Sequence, residues 1–156
     1  MFQANRSGRE AAAEQLAALL PDEELGRTKV IVAEDQPAMR GLIASRLREA
    51  GYDVVEVSDG EVLWRELRES ARDEDNPREA DLIISDIRMP GRSGLDVLSL
   101  IRRTDWKTPV ILMTAFGTPE VVSGALQLGA YRVVPKPFEL GELAALVRQA
   151  HGARSA

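Results

Sequence analysis

The sequence predicts an α/β protein in which helices cover both faces of an open parallel sheet. Five short apolar runs alternate with amphipathic segments from residue 29 onwards. This alternation is typical of strand–helix units, and right-handed crossovers between successive units make the strands parallel. Four of the five runs stop at a reactive or charged side chain, and the carboxyl ends of parallel strands lie at one edge of a sheet.

The composition is that of one globular domain. The chain has 156 residues, 44% hydrophobic and 29% charged, with no cysteine, so disulfides and thiolate metal sites are excluded. No apolar run approaches the roughly 18 residues of a membrane span, and we expect a cytoplasmic protein. The net charge of −5 argues against nucleic acid as a partner. We expect the domain over residues 28–152, an appendage over residues 1–27 and a short tail over residues 153–156.

The appendage is predicted to contain one short helix. Ser7 and Glu10 have the spacing of a capping box, and apolar residues at helical spacing follow until Pro21. The helix is therefore expected from about Arg9 to Leu20. The sequence leaves open whether this segment has no function or serves dimerisation or partner docking.

Two strand–helix units occupy the first half of the domain. The run Val30–Ala33 has the composition of a strand buried on both faces, and Pro37 suits the first turn of the following helix, which is expected to end at Gly51. The apolar face of this helix is expected to comprise Met39, Leu42, Ile43, Leu47 and Ala50. A second strand, Asp53–Val57, precedes a helix that carries Leu63, Trp64 and Leu67. The charged segment Ser70–Ala80 predicts a solvated connection.

Three further units complete the pattern. The run Leu82–Ile84 delivers Asp86 into a Pro-Gly turn, and Ser93 is expected to cap the next helix. A fourth strand, Pro109–Met113, stops at Thr114. The remaining predicted boundaries are Thr118 and Pro119 at the start of the fourth helix, Gly129 at its end, Tyr131–Val134 for the last strand and Gly152 at the end of the last helix.

The residues that follow the strands form the candidate site. Ligands of open α/β sheets bind beyond the carboxyl ends of the strands, where we expect a cleft formed by Glu34, Asp35, Asp86, Thr114 and Lys136. Three carboxylates at close range repel one another, and Mg²⁺ together with the lysine balances their charge. The aspartate after the third strand is then a candidate nucleophile toward phosphorus, and the threonine and lysine can bind phosphoryl oxygens.

Four motifs carry a resemblance to a known family. They are V-I-V-A-E-D at residues 30–35, I-S-D-I-R-M-P-G at residues 84–91, M-T-A-F-G at residues 113–117 and K-P-F at residues 136–138. In order and spacing they resemble the signatures of the receiver domain of two-component response regulators, over about residues 29–152. The resemblance implies a flavodoxin-like fold with strand order 2-1-3-4-5.

The resemblance also implies roles for individual residues. A histidine kinase or a histidine phosphotransfer protein would donate a phosphoryl group to Asp86 in the presence of Mg²⁺. The implied metal ligands are Glu34, Asp35, Asp86 and the backbone carbonyl of Arg88. The implied phosphoryl-binding and switch residues are Thr114, Ala115 and Lys136. The peptide bond between Lys136 and Pro137 is expected to be cis.

The chain departs from the family pattern at two positions, and two further residues are predicted to affect the lifetime of the phosphorylated state. Val133 occupies the switch position that usually holds Tyr or Phe; Tyr131, two residues earlier and expected on the same side of the strand, is a candidate substitute. Glu34 replaces the commoner aspartate. Arg88 and Phe116 stand two residues after the predicted phosphoacceptor and the threonine, and we expect these bulky residues to shield the acyl phosphate and prolong its lifetime.

The sequence thus predicts a stand-alone receiver, a signalling domain rather than an enzyme with a separate substrate. Output is expected through a protein partner at the face formed by the fourth helix, fifth strand and fifth helix, and a homodimer is left open. The alternative is a docking module of the same fold that works without phosphorylation, which Val133 favours. A flavin or nucleotide site lacks a phosphate-cradling loop, and a hydrolase that uses an aspartyl phosphate lacks a second Asp at the place of Arg88.

Overall fold

Strands and helices alternate along the computed structural model, which describes residues 28–72, 80–104 and 106–155. The strands are β1 (Lys29–Ala33), β2 (Asp53–Val57), β3 (Leu82–Asp86), β4 (Val110–Thr114) and β5 (Arg132–Pro135). The helices are α1 (Pro37–Glu49), α2 (Gly60–Arg72), α3 (Gly94–Arg102), α4 (Pro119–Gln127) and α5 (Leu140–Ser155). The predicted helix of the appendage and most of the predicted connection after α2, residues 73–79, lie outside the described residues.

The five strands form one parallel sheet in the order β2-β1-β3-β4-β5, which confirms the predicted fold class. The two strands at the centre of the site, β3 and β4, are buried along their whole length, as expected for apolar runs covered on both faces. The edge strands β2 and β5 contain both buried and exposed positions. The order 2-1-3 means that the chain adds strands first on one side of β1 and then on the other, so the switch point lies between β1 and β3, whose ends both carry acids.

Each face of the sheet packs against its own hydrophobic core. On one face α1 and α5 contribute buried residues such as Ile43 and Val147, and on the other α2, α3 and α4 contribute residues such as Leu63 and Leu98. Alternate residues of β1 divide between the two cores, because successive side chains of a strand point to opposite faces. Both cores together hold the strand ends in a fixed register.

Several helix ends agree with the sequence-based expectations. Ser93 and Asp96 form a capping box at the start of α3, and the Thr118 hydroxyl accepts a hydrogen bond from the backbone N–H of Val121. Gly51 and Gly129 follow α1 and α4 with φ of 98° and 101°, the left-handed conformation that glycine adopts without a steric penalty.

Two expectations about helices were wrong. Leu42 does not face the core of α1: it is 55% exposed, because the buried stripe passes through Ile43, Ala44 and Leu47 and leaves Leu42 at its rim. Helix α5 does not end at Gly152 but continues to Ser155, since this glycine does not adopt the positive φ that would stop a helix. In the part of the chain that the structure describes, no helix has the length and apolar character needed to cross a membrane.

Candidate functional site

Three carboxylates meet at the carboxyl edge of the sheet. Glu34 directly follows β1, Asp35 is next to it, and Asp86 is the last residue of β3. Each offers a carboxylate oxygen, and these oxygens lie within 4.8 Å of one another. Glu34 is fully buried and Asp86 nearly so, whereas Asp35 is exposed. The structure therefore brings together the acids that the strand ends predicted.

Lys136 bridges two of these carboxylates. Its Nζ lies 2.7 Å from Asp86 Oδ2 and 2.9 Å from Glu34 Oε2, and it joins residues 50 and 102 positions away. The lysine directly follows β5, its backbone N–H donates to the Thr114 carbonyl oxygen at 2.8 Å, and its peptide bond to Pro137 is cis. The ends of β1, β3, β4 and β5 thus contribute to one cluster.

The electrostatics of the cluster shift two pKa values. Burial raises the pKa of Glu34 and outweighs the hydrogen bond from Lys136, which lowers it; the nearby Asp86 charge raises it further. Burial alone would lower the pKa of Lys136, but its hydrogen bonds to Asp86 and Glu34 outweigh that effect and raise it. The lysine therefore stays charged at neutral pH.

Backbone groups and one arginine hold the acids in place. The N–H of Arg88 donates to Asp86 Oδ1 at 3.2 Å, and the N–H of Gln36 donates to Glu34 Oε1 at 3.3 Å. Arg40 of α1 donates from Nη1 to the Glu34 carbonyl oxygen at 2.9 Å. Sequence reasoning missed Arg40, because nothing in the spacing of an ordinary helix arginine signals that it reaches back to the preceding loop.

Gly94 permits a close approach to the backbone of Asp86, a role that sequence reasoning missed. A Cβ atom at this position would lie 2.4 Å from the Asp86 carbonyl oxygen, and the Gly94 N–H donates to the Ile87 carbonyl oxygen at 2.9 Å. The first residue of α3 is therefore packed directly against the end of β3. A glycine between the Ser93 cap and an amphipathic helix was the available signal.

The loop after β4 carries the predicted threonine and its two successors. Thr114 is buried, and its Oγ1 accepts a hydrogen bond from the Phe116 N–H at 3.0 Å, while Ala115 is exposed. Phe116 is 59% exposed, and the guanidinium carbon of Arg88 lies 4.6 Å from the centroid of its ring. The two residues predicted to tune phosphate lifetime are thus in contact with each other.

Tyr131 does not share a face with Val133, contrary to the expectation from strand periodicity. Val133 is partly buried against the core under α2, α3 and α4, whereas Tyr131 packs against the core under α1 and α5. The period-two argument fails because Tyr131 precedes β5, which begins at Arg132. The guanidinium of that arginine lies 4.8 Å from the tyrosine ring centroid. Tyr131 is therefore not placed to substitute for the aromatic residue missing at Val133.

The donor chemistry of the cluster fits a hard divalent cation. Three carboxylates face one lysine, which leaves negative charge uncompensated, and oxygen-only ligands suit Mg²⁺. Asp35 is exposed, so a cation that keeps several waters can reach it.

Comparison with known proteins agrees with the geometry. The sequence profile of the response regulator receiver domain matches residues 30–148. The chain belongs to this family. The receiver domain of Francisella response regulator 1452 superimposes with a TM-score of 0.73 and 26% sequence identity, over 82% of this chain and 99% of that one. The fold and the family therefore agree with the resemblance carried by the four motifs.

Curated relatives of this receiver domain include longer regulators. NtrC of Rhizobium meliloti, described as a DNA-binding transcriptional regulator, is 33% identical over 121 residues, which cover 78% of this chain and 23% of NtrC. The uncharacterized transcriptional regulatory protein YkoG of Bacillus subtilis is 35% identical over 122 residues, which cover 78% of this chain and 50% of YkoG. The chain thus aligns with a half or less of these two relatives.

Proposed function

We propose that this receiver domain accepts a phosphoryl group on Asp86 and signals through a protein partner whose affinity depends on that modification. The observation that supports the proposal is the position of Asp86 Oδ2, 2.7 Å from Lys136 Nζ, inside a cluster of three carboxylates at the end of β3. A surface aspartate rarely has a partly buried lysine and two further acids as neighbours. This arrangement suits a nucleophilic carboxylate whose product carries extra negative charge.

The reaction forms one bond and breaks one. A carboxylate oxygen of Asp86 attacks the phosphorus of a phosphohistidine on a histidine kinase or histidine phosphotransfer protein, and a P–O bond replaces the P–N bond. The imidazole leaves with the electron pair of the broken bond and takes a proton from solvent. Lys136, which contacts Asp86, would pair with one phosphoryl oxygen, and the Thr114 hydroxyl would donate to another.

Glu34, Asp35, Asp86 and the backbone carbonyl of Arg88 would hold Mg²⁺ beside the acceptor. Mg²⁺ held there would supply positive charge that offsets the negative charge of the carboxylates and of the incoming phosphoryl group. The residues of the chain have a separate task, since Glu34 and Lys136 orient the Asp86 carboxylate before the donor arrives.

Arg88 and Phe116 are proposed to prolong the phosphorylated state. Both side chains are bulky and each lies two residues beyond a reacting strand end, so each restricts the approach of water to an acyl phosphate on Asp86 without depending on the contact between them. If both are replaced by Ala, the phosphoryl adduct should be lost about tenfold faster, as followed by intact mass over time. An adduct of the native chain that hydrolyses within seconds, at a rate that the double substitution does not change, contradicts this role.

The proposed partner surface is the face formed by α4, β5 and α5. One element of this face, α4, lines a shallow groove of about 620 Å³ together with the loop before it; the lining comprises Gly117, Pro119, Val122, Ser123, Leu126 and Gln127. Leu126, which is 45% exposed, adds apolar area to the lining of this groove.

Intact mass spectrometry tests the acceptor. The chain is incubated with Mg²⁺ and acetyl phosphate, and we expect one phosphoryl adduct that hydroxylamine removes, because hydroxylamine cleaves acyl phosphates. Asp86→Asn should abolish the adduct, and chelation of Mg²⁺ should suppress it. The matched control is Asp53→Asn at an exposed position of β2, which should leave the adduct unchanged. An adduct that survives Asp86→Asn overturns the proposal.

A docking module that works without phosphorylation is the second candidate, and one observation favours it. Val133 is aliphatic and Tyr131 packs on the other face of the sheet, so the usual aromatic coupling between the site and the partner face is missing. Once a protein partner has been identified, Asp86→Asn distinguishes the phosphorylation-dependent receiver from the docking module. Partner binding that is insensitive to phosphorylation of the native chain and to this substitution supports the docking module.

A further inference from the structure

Phe116 is an exposed aromatic side chain that a cation holds in place. Its exposed fraction of 59% is the largest among the aromatic residues that the structure describes. The guanidinium of Arg88 lies over the ring, 4.6 Å from its centroid. The contact joins the loop after β3 to the loop after β4, because Arg88 belongs to the former and Phe116 to the latter.

Arg88 and Phe116 each form a backbone hydrogen bond to a residue of the candidate site. The Arg88 N–H donates to Asp86 Oδ1, and the Phe116 N–H donates to Thr114 Oγ1. Under the proposed function, phosphorylation would change both acceptors, because one Asp86 carboxylate oxygen would become part of an acyl phosphate and the Thr114 hydroxyl would donate to a phosphoryl oxygen. Phosphorylation of Asp86 therefore alters a hydrogen bond of Arg88 and a hydrogen bond of Phe116.

We infer that phosphorylation of Asp86 separates Arg88 from Phe116, and that this separation reports the modification; the inference rests on the function proposed above. A phosphoryl group brings negative charge to within two residues of Arg88. Guanidinium groups form paired, charge-assisted hydrogen bonds with phosphoryl oxygens, and these are stronger than a cation–π contact at an exposed ring. The guanidinium therefore leaves the ring for the phosphoryl group.

The released ring has an apolar surface beside it. Phe116 precedes Gly117, which lines the shallow groove on α4 together with Pro119, Val122 and Leu126. Without its cation the ring loses a favourable polar contact in water, and the groove that begins at the adjacent Gly117 offers it an apolar surface. Phe116 then covers the groove in the phosphorylated state and alters the surface offered to a partner. This movement of Phe116 does not require an aromatic residue at position 133.

Fluorine NMR tests the inference, because the sequence contains only three phenylalanines, Phe2, Phe116 and Phe138. The full chain is labelled with 4-fluorophenylalanine, and Phe116→Leu identifies the signal of interest. Mg²⁺ and acetyl phosphate are added, and intact mass measures the adduct in the same sample. We expect the Phe116 signal to shift by more than its linewidth in proportion to the adduct, and the other two signals to move less.

Two arginine variants make the test specific. In Arg88→Ala the Phe116 signal should be displaced before phosphorylation, and the further shift on phosphorylation should fall below about half of the native value, because the cation is already absent. Arg92→Ala is the matched control on the same loop, where Arg92 forms an ion pair with Glu61, and it should behave like the native chain.

The outcomes distinguish the inference from the proposed function. An adduct on Asp86 with an unmoved Phe116 signal overturns the inference and leaves the proposed function intact. A native-sized shift in Arg88→Ala overturns it as well, because the shift then does not depend on the guanidinium. No adduct on the native chain overturns both.

Discussion

Two partly buried cations lie at opposite edges of the sheet and have different partners. Lys136, at the carboxyl edge, contacts the carboxylates of Asp86 and Glu34. Arg102, at the amino edge, donates to the carbonyl oxygens of Trp106, Thr108 and Gly129 at 3.1, 3.0 and 2.9 Å. Burial alone would lower both pKa values, yet the pKa of Lys136 is raised by its carboxylate partners, while that of Arg102 is lowered by burial.

The difference shows that the hydrogen-bond acceptors around a partly buried cation, and not its burial, decide whether the cation can change its ligand. The carbonyl oxygens around Arg102 belong to the loop before β4 and the turn before β5. They are part of the backbone, so Arg102 keeps these partners as long as the domain is folded. The carboxylates around Lys136 compete with any other anion, such as a phosphoryl group, for the same ammonium. One cation therefore fixes the fold, and the other is suited to a change of partner.

The largest expected effect is the loss of stability in Arg102→Ala. This change removes three charge-assisted hydrogen bonds and leaves the carbonyl oxygen of buried Thr108 without its arginine donor, which should cost about 2–4 kcal/mol in the free energy of unfolding. Urea denaturation monitored by circular dichroism measures it. Exposed Arg103→Ala is the control and should change stability by less than about 0.5 kcal/mol. Equal effects of the two variants would show that Arg102 does not hold this edge.

Glycines at the two edges give the next largest effects. A Cβ at Gly129, where φ is 101°, would strain the backbone and lie 2.8 Å from Arg102 Nε, so Gly129→Ala should cost about 1–2 kcal/mol of stability without affecting phosphorylation. Gly94→Ala should instead slow phosphorylation, because its Cβ would push against the Asp86 carbonyl oxygen. Denaturation and adduct formation are measured for both. Gly124→Ala is the control, since its Cβ meets open space.

Lys136→Met should alter cation binding more than stability. The substitution leaves the carboxylates without their lysine, so Mg²⁺ should bind about tenfold more tightly, about 1.4 kcal/mol, while the rate of phosphorylation falls. Isothermal titration calorimetry with Mg²⁺ measures the affinity. Exposed Lys107→Met removes the same charge at a distance and should leave the affinity nearly unchanged. Weaker Mg²⁺ binding in Lys136→Met would contradict the competition between lysine and metal.

The smallest expected effect is a pH dependence at the alkaline limit. Because the folded-state pKa of Lys136 is raised above 10.5, its stabilising contribution is complete below pH 10.5 and is lost as the pH rises through the folded-state pKa. The stability difference between the native chain and Lys136→Met should therefore shrink above pH 10.5 in buffer without divalent cations. Arg102 keeps its proton over this range despite its lowered pKa, so the Arg102→Ala difference should stay constant.

Much of the fold follows from the local sequence pattern. The alternation of apolar runs and amphipathic segments is a local property, and so are the caps at Ser93 and Thr118 and the left-handed turns at Gly51 and Gly129. The sequence was wrong where a side chain depends on a neighbouring element. Leu42 lies at the rim of α1, and Tyr131 precedes β5, so helical and strand periodicity misplaced them.

The sequence by itself determined which residues end the strands, and the parallel sheet then required those ends to share one edge. That requirement is enough to predict the cluster of Glu34, Asp35, Asp86 and Lys136. Only the tertiary structure decided the pairing within it: that one lysine bridges two carboxylates, that Arg88 stacks on Phe116, and that Arg102 binds carbonyl oxygens at the opposite edge. The periodicity of the sequence predicts where a strand ends and which face its side chains share. A contact between long side chains depends in addition on distances that only the packed structure defines.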